Sequence, residues 1–287
     1  MGYKQKSPRR RTSKSRAVKA ILPPLLAASE AGDTQTVQKL LNSGVDVNLR
    51  CDPKMAGYHG ATSLILAVRH GYYATAKVLL EHGANHSSEA AYGNPLSEAI
   101  THGHTNLVEL LLSKSARNPD CSLFNAVEKG RLEILHLVAD AGVPLAKMRS
   151  RFGDSLLERA VYYRKTEIVH LLLKYIGKDF DGGALVQAAA QGNDKLVRLL
   201  TESGANVNQP NSLLQFPIGS AAFSGNRATI ELLLELGADI SMIDIHGWSC
   251  IDWALYGKQS KVAKWLDSVG KSRGVKIPRG ACQGGKP

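Results

Sequence analysis

The sequence predicts an all-α solenoid in which about eight helix pairs stack side by side. Eight times along the chain, an Ala stands three residues after a Leu or Ile. After each Ala, apolar residues recur at the spacing of a helix. The Leu or Ile stands at Leu25, Leu64, Leu96, Leu123, Leu157, Leu185, Ile218 and Ile251. The Ala stands at Ala28, Ala67, Ala99, Ala126, Ala160, Ala188, Ala221 and Ala254. A small residue lets the neighbouring helix approach closely, because a larger side chain would overpack the contact.

A turn position, four residues after each Ala, separates the two helices of a copy. It is occupied by Gly32, Gly71, Gly103, Gly130, Arg164, Gly192, Gly225 and Lys258. Gly suits this place because positive φ is inexpensive only without a Cβ. Twelve residues further on, a second Gly predicts the end of the second helix at Gly44, Gly83, Gly142, Gly204, Gly237 and Gly270. Ser115 and Ile176 take that place in the third and fifth copies.

The second helix of each copy carries one apolar stripe. Apolar residues lie five positions after the turn, at Val37, Ala76, Val108, Leu135, Val169, Val197, Ile230 and Ala263. They lie again eight positions after it, at Leu40, Leu79, Leu111, Val138, Leu172, Leu200, Leu233 and Leu266. Polar residues between them indicate a helix with a single buried side. One pair cannot bury its apolar side alone, so stacking of neighbours has to complete the core.

This pattern resembles the ankyrin repeat, a unit of about 33 residues with a β-turn and two helices. The likeness is carried by Gly-Ala-Thr-Ser-Leu at 60–64, by Gly-His-Thr-Asn-Leu-Val-Glu-Leu-Leu-Leu at 103–112 and by Gly-Ala-Asn-Val-Asn at 204–208. Asn-Pro-Leu at 94–96 is similar to the family's Thr-Pro-Leu-His start, which no copy keeps whole. The resemblance covers about residues 23–270 and implies short β-hairpin loops between the helix pairs.

The links between copies differ in length. From turn position to turn position, the first interval is 39 residues, whereas the third and fifth are 27 and 28. The two short links are expected to lack a full hairpin, and the stack is expected to bend or twist irregularly there.

The net charge of +11 is concentrated in two tails. Residues 1–20 carry eight Lys or Arg and no acid, and residues 271–287 carry five more, again without an acid. We therefore predict disordered basic tails at 1–22 and 271–287, flanking a repeat domain at 23–270. The clustered bases of the first tail are a candidate nuclear import signal: Arg9, Arg10, Arg11, Lys14 and Arg16. A solubilising tail or a transit peptide are the alternative interpretations.

Catalytic, metal and membrane functions have no support in the sequence. The cysteines show no metal spacing, the histidines fall on repeat turns and caps, and phosphate-binding and catalytic motifs are missing. No apolar run predicts a transmembrane helix or a signal peptide. We predict a non-enzymatic protein without a cofactor or metal, a monomer that does not bind nucleic acid specifically.

The resemblance implies a partner-binding surface on the concave side, formed by hairpin tips and the two residues before each turn. Candidates for partner contact are Arg69, His70, His102, Lys129, Tyr162, Tyr163, Gln191 and Phe223. Aromatic side chains often dominate binding at protein interfaces, although Phe223 could instead fill a gap between helices. Basic residues around 147–165 indicate a solvated surface, with an acidic-peptide site as the alternative. The three tryptophans of the last copy are interpreted as a cap on the open end of the core.

A protein-binding scaffold is the function that these features favour. The resemblance implies holding a transcription factor or assembling a signalling complex, and the basic tail favours a nuclear coregulator. The alternative is a cytoplasmic adaptor that recruits client proteins to another complex. The localisation that we expect is the nucleus, the cytoplasm or both.

Overall fold

A computed structural model describes residues 22–52, 57–91, 93–116, 119, 121–177 and 182–280, and these residues form sixteen α-helices. The first helices of the pairs are α1 Pro24–Ala31, α3 Ser63–Arg69, α5 Pro95–His102, α7 Ser122–Lys129, α9 Leu156–Tyr162, α11 Gly183–Ala190, α13 Pro217–Ser224 and α15 Cys250–Tyr256. The second helices are α2 Thr34–Asn42, α4 Tyr73–Glu81, α6 Thr105–Ser113, α8 Leu132–Asp140, α10 Thr166–Ile176, α12 Asp194–Glu202, α14 Arg227–Glu235 and α16 Ser260–Ser272. The all-α solenoid of eight helix pairs is confirmed.

The helix pairs share one continuous hydrophobic core. First helices pack against neighbouring first helices along the whole stack, and second helices pack on one another from α2 to α10 and between α12 and α14. The repeated Ala residues are all buried, as are Leu79, Leu111 and Leu233 of the second helices. The predicted stripes account for the stacking, because their positions are buried in every copy except at Leu40, which is partly buried against the core.

All eight turn positions adopt positive φ, including the two that are not Gly. Arg164 has a φ of 55° and Lys258 a φ of 60°. Space is a second reason for Gly at five of the other six, whereas at Gly130 the nearest atom, Nζ of Lys165, would lie 3.4 Å from a Cβ. A Cβ on Gly71 would lie 2.8 Å from Cε1 of His104, and one on Gly225 would lie 2.6 Å from Cδ of Gln259. The side chain that follows the turn of one copy therefore covers the turn of the copy before it.

These covering side chains also bind the end of the preceding first helix. The Nε2 atom of His104 lies 3.2 Å from the carbonyl oxygen of Arg69, and the side-chain amide of Asn226 donates to the carbonyl of Ala190 at 2.9 Å. Arg131 donates in the same way to the carbonyls of Ile100 and Thr101. Carbonyls that would lack a partner at a helix C-terminus are thus satisfied by the next copy.

The second helices end as predicted in most copies. Positive φ is found at Gly44, Gly83, Gly142, Gly204 and Gly237, and Ser115 adopts it in the third copy. In the fifth copy Gly177 takes this role, one residue after Ile176. The prediction for Gly270 was wrong, because α16 continues to Ser272 and the positive φ falls on Gly274.

The C-terminal boundary also differs from the expectation of a disordered tail from residue 271. Ile277 is buried against the core, where a Cβ on Gly270 would approach it to 3.0 Å. Arg279 pairs with Asp267 at 3.0 Å, and the amide of Gly280 donates to Asp252 at 2.9 Å. One apolar residue and two polar contacts therefore fix residues up to 280 on the last pair. Residues 1–21 and 281–287, with the candidate import residues, lie outside the described residues.

Short antiparallel bridges occur in four of the loops between pairs. They join Arg50 to Thr62, Ala90 to Gly93, Arg149 to Ser155, and Ile243 to Ser249. The two short links contain residues outside the described part of the chain, so the expectation that they lack a full hairpin, like the irregular bend, stays a prediction.

Candidate functional site

The candidate site is the surface formed by the eight first helices and the loops that precede them, here called the first-helix face. Two residues before each turn, one side chain of every copy lies at the end of its first helix on this face. These residues are Glu30, Arg69, Thr101, Glu128, Tyr162, Ala190, Phe223 and Tyr256. The surroundings of this position change from the first copy to the last.

In the first two copies, the long first loop covers the first-helix face. The hydroxyl of Tyr58 donates to the carboxylate of Glu30 at 2.8 Å, and Nη1 of Arg69 donates to the carbonyl of Gly57 at 3.3 Å. The hydrogen bond to Glu30 raises the pKa of the Tyr58 hydroxyl, with burial adding to it. Below these contacts lies a small hydrophobic cluster of Leu26, Cys51, Ala61, Ile65 and Leu66. The loop thus buries apolar surface that would otherwise face outward.

Arg69 and His102 both contact Glu98, which is only 4% exposed. The guanidinium of Arg69 makes two hydrogen bonds to the Glu98 carboxylate, at 3.1 and 3.2 Å. Nδ1 of His102 lies 3.4 Å from the same carboxylate. A buried carboxylate needs such partners, since an unpaired charge is costly away from water. Two predicted partner-binding residues are therefore engaged within the fold.

The other predicted residues are spread along the face and do not form one patch. His70 is exposed and stacks on Tyr72 with ring centroids 5.8 Å apart, and Lys129 is exposed on α7. Tyr162 is exposed, with Tyr163 half-buried beside it at a centroid distance of 5.0 Å. The amide of Gln191 donates to the carbonyl of Tyr162 at 3.0 Å, so it links α11 to α9.

In the last three copies the first-helix face opens into an aromatic cleft. It has a volume of about 380 Å³ and is lined by Val186, Gln187, Ala190, Asn211, Gln215, Ser220, Phe223, Ser224, Trp253 and Tyr256. The Phe223 ring lies 6.1 Å from Trp253 and 5.9 Å from Tyr256, in edge and tilted arrangements. Phe223 remains 41% exposed, so it forms a wall of the cleft while also packing on its neighbours.

Polar contacts hold the loops at both ends of the cleft. The buried Asn211 side chain accepts hydrogen bonds from the amides of Leu213 and Gln215, at 3.0 and 2.9 Å. Asp244 accepts from the indole of Trp253 at 3.1 Å and from two loop amides. These contacts fix the loops and leave apolar tips outside: Leu213 is 73% exposed and Ile245 is 67% exposed.

Sequence reasoning missed the roles of Trp253 and Tyr256. Trp248 is buried, and a Cβ on Gly280 would lie 3.3 Å from it, which fits the predicted cap. Trp265 lies under the guanidinium of Arg227, 4.6 Å away, and Trp253 lines the cleft instead. The position of Tyr256 in its repeat could have indicated its role. Tyr256 stands two residues before the turn residue Lys258, just as Phe223 stands two residues before Gly225.

The cleft offers apolar contact and hydrogen bonding. The described residues contain no group of His, Cys, Asp and Glu that could hold a metal ion. Within that same part of the chain, no helix is sufficiently long and apolar to span a membrane.

A family model described as ankyrin repeats in three copies matches residues 25–122, 123–211 and 185–272. The chain belongs to the ankyrin repeat family. Ankyrin repeats are scaffolds for protein–protein interaction, and the fold is typically non-enzymatic.

Curated relatives of this ankyrin repeat chain are larger proteins. One relative is the probable E3 ubiquitin-protein ligase XBOS33 of Oryza sativa subsp. japonica, which is 30% identical over 207 residues. The match covers 69% of this chain and 34% of XBOS33. A second relative is the ankyrin repeat protein nuc-2 of Neurospora crassa, which is 27% identical. That match covers 86% of this chain and 24% of nuc-2. A third match, to the ankyrin repeat and KH domain-containing protein mask-1 of Caenorhabditis elegans, at 30% identity, covers 62% of this chain and 7% of that protein.

Proposed function

We propose that this ankyrin repeat chain is a non-enzymatic scaffold that holds a transcription factor as a nuclear coregulator. The observation that carries the scaffold function is the open cleft at Phe223, where apolar side chains of a partner can be buried. Its walls are held by neighbouring helices and by the contacts of Asn211 and Asp244. A preformed surface loses little conformational entropy when a partner docks, so more of the contact energy becomes affinity.

Partner capture tests the scaffold function directly. Tagged full chain would be cross-linked in cells and purified, and the recovered proteins identified by mass spectrometry beside an empty-tag control. We expect a transcription factor among the proteins enriched by the chain. Recovery of no protein above the control would contradict the scaffold function itself.

The nuclear assignment is supported by the basic residues between Arg9 and Arg16, since clustered bases suit the acidic grooves of import receptors. A fluorescent fusion of the full chain should accumulate in the nucleus, and deletion of residues 1–20 should return it to the cytoplasm. A matched deletion of residues 281–287 should leave the fusion in the nucleus. Cytoplasmic full-length protein, unmoved by the first deletion, would remove the nuclear role.

A cytoplasmic adaptor is the second candidate, and the likeness to XBOS33 favours it. Such an adaptor would recruit client proteins to another complex through the same first-helix face. Recovery of ubiquitin-ligase components in place of a transcription factor, from protein that stays cytoplasmic, would support this candidate over the first.

A further inference from the structure

We propose that the cleft between α11, α13 and α15 binds an extended, uncharged segment of the partner through one or two bulky apolar side chains. This proposal rests on the protein-binding function above and specifies where and how the partner docks. It places the docking site in the C-terminal half of the first-helix face, away from Arg69, His70 and His102.

The lining of the cleft determines the chemistry of its ligand. None of the ten lining residues is an acid, a Lys, an Arg or a His. A charged side chain entering the cleft would lose water without gaining a partner of opposite charge, which is unfavourable. Phe223, Trp253 and Tyr256 supply aromatic contact, and Gln187 and Gln215 supply amide groups that can hydrogen-bond to a peptide backbone. The lining therefore matches an uncharged segment with apolar side chains.

The size of the cleft limits how much of a partner can enter it. Its volume of about 380 Å³ lies at the lower end of the range of ~300–1,000 Å³ typical of ligand pockets. That volume suits the side chains of an extended segment better than a folded element. An aromatic or large aliphatic anchor in such a pocket is the usual source of binding energy at interfaces.

The loops around the cleft present further apolar surface. Leu213 and Leu214 stand between Asn211 and Gln215, both of which line the cleft, and Leu213 is 73% exposed. Leu214 adopts a φ of 60°, a left-handed conformation that is unfavourable for a residue with a branched side chain. Exposed apolar tips and a strained backbone at one rim are features that a bound partner would cover and that stability alone does not require.

The competing position for a partner is the loop before α9, which carries Arg149, Arg151 and Phe152. All three side chains are exposed, and the guanidinium of Arg151 lies 4.8 Å from the Phe152 ring. This loop would suit an acidic segment, with binding that weakens as salt screens the charges. Salt dependence and sequence preference therefore separate the two positions.

The test is selection of phage-displayed random linear peptides on the immobilised full chain. One enriched peptide would then be synthesised and titrated into the chain. We expect enriched peptides to share a bulky apolar residue without neighbouring charges. Affinity should change less than about twofold between about 50 mM and about 500 mM NaCl, because exposed charges play little part in it.

Three variants locate the bound peptide. Phe223→Ser and Leu213→Asp should each weaken binding at least about tenfold, since one removes an anchor contact and the other places a charge on the rim. Tyr73→Ser should bind like the parent, because Tyr73 lies on the second helix α4 with a comparable exposed fraction, 40%. Leu213 points to solvent, so Leu213→Asp tests the cleft even if Phe223→Ser unfolds.

Charged peptides, salt-sensitive binding, no enrichment, or binding that Leu213→Asp leaves unchanged would each overturn the proposal. Failure here is distinguishable from failure of the scaffold function. If the cross-linked partner is recovered equally by the parent and by Leu213→Asp, the scaffold stands and the cleft is not its docking site. If the parent recovers no partner, the scaffold function fails as well.

Discussion

The two halves of the first-helix face use the same backbone position for different purposes. Two residues before the turn, the first four copies carry Glu30, Arg69, Thr101 and Glu128, and the last four carry Tyr162, Ala190, Phe223 and Tyr256. In the first half, Glu30 and Arg69 contact the chain's own first loop, and Arg69 also pairs with Glu98. In the second half, Tyr162, Phe223 and Tyr256 remain exposed.

This difference shows that the core and the surface of a solenoid are specified separately. Both halves bury the repeated Ala and Leu positions, apart from the partly buried Leu40 of the first copy, so their cores are built in the same way. The residues two positions before the turns are not required for core packing. Their side chains can therefore contact other parts of the chain or stay exposed to a partner. Four predictions test this comparison.

The largest effect is expected from the shared core. Leu79→Ala in the first half and Leu233→Ala in the second each remove a fully buried side chain, and each should cost about 2–5 kcal/mol of unfolding free energy. Urea titration followed by circular dichroism measures both. A loss confined to one half would show that the two halves do not have equivalent cores.

The ion pairs of the two halves should differ in their contribution to stability. Arg69→Ala removes two hydrogen bonds from the buried carboxylate of Glu98 and should cost about 1.5–3 kcal/mol, because hydrogen bonds to a charged group are stronger than neutral ones. Arg159→Ala breaks a more exposed pair with Asp154 and should cost about 1 kcal/mol or less. Chemical denaturation of both variants makes the comparison. Equal losses would mean that Glu98 is compensated by His102 alone.

The buried thiol of Cys250 should make the C-terminal half sensitive to alkaline pH. Burial raises the pKa of this thiol from an ordinary value of 9.0 to about 12. Between those values the folded protein keeps a proton that the unfolded chain has released. The stability that the thiol contributes is therefore full below about pH 9 and falls as pH rises, by about 2 kcal/mol at about pH 10.5.

Cys250→Ala should remove the loss of stability above about pH 9 that comes from this thiol. The measurement is the unfolding free energy of the variant and of the parent at each pH. Cys51→Ala is the matched variant in the first half. Burial also raises the pKa of Cys51, with the charge of Glu30 adding to it, so Cys51→Ala should change the alkaline slope in the same direction. A parent and a Cys250→Ala variant with the same alkaline slope would contradict the assignment.

The smallest effect is expected from the loop that covers the first half. Tyr58→Phe removes the hydrogen bond to Glu30 and should cost about 0.5–1.5 kcal/mol. Hydrogen exchange should be faster at the amides of Cys51 and Ala61, which donate to the carbonyls of Ala61 and Tyr58, and unchanged around Phe223. Unchanged exchange at Cys51 would show that other contacts suffice to keep the loop in place.

The sequence by itself determined the number of helix pairs, their turns and their buried stripes. Close packing explains the Leu or Ile and the Ala of every copy, and positive φ explains the Gly at six of the eight turns, so the pattern is visible in the sequence alone. The error at Gly270 has a clear source. A Gly can end a helix or make room for a neighbour, and the neighbour Ile277 is known only from the tertiary structure.

Only the tertiary structure decided which part of the surface is open. Arg69 and Phe223 were equal candidates in the sequence, because they occupy the same repeated position. Glu98 and the carbonyl of Gly57 engage Arg69, whereas Trp253 and Tyr256 form a cleft around Phe223. Those contacting groups belong to neighbouring copies and to the long first loop. Their distances from Arg69 and Phe223 depend on how the copies stack, which no sequence pattern within one copy specifies.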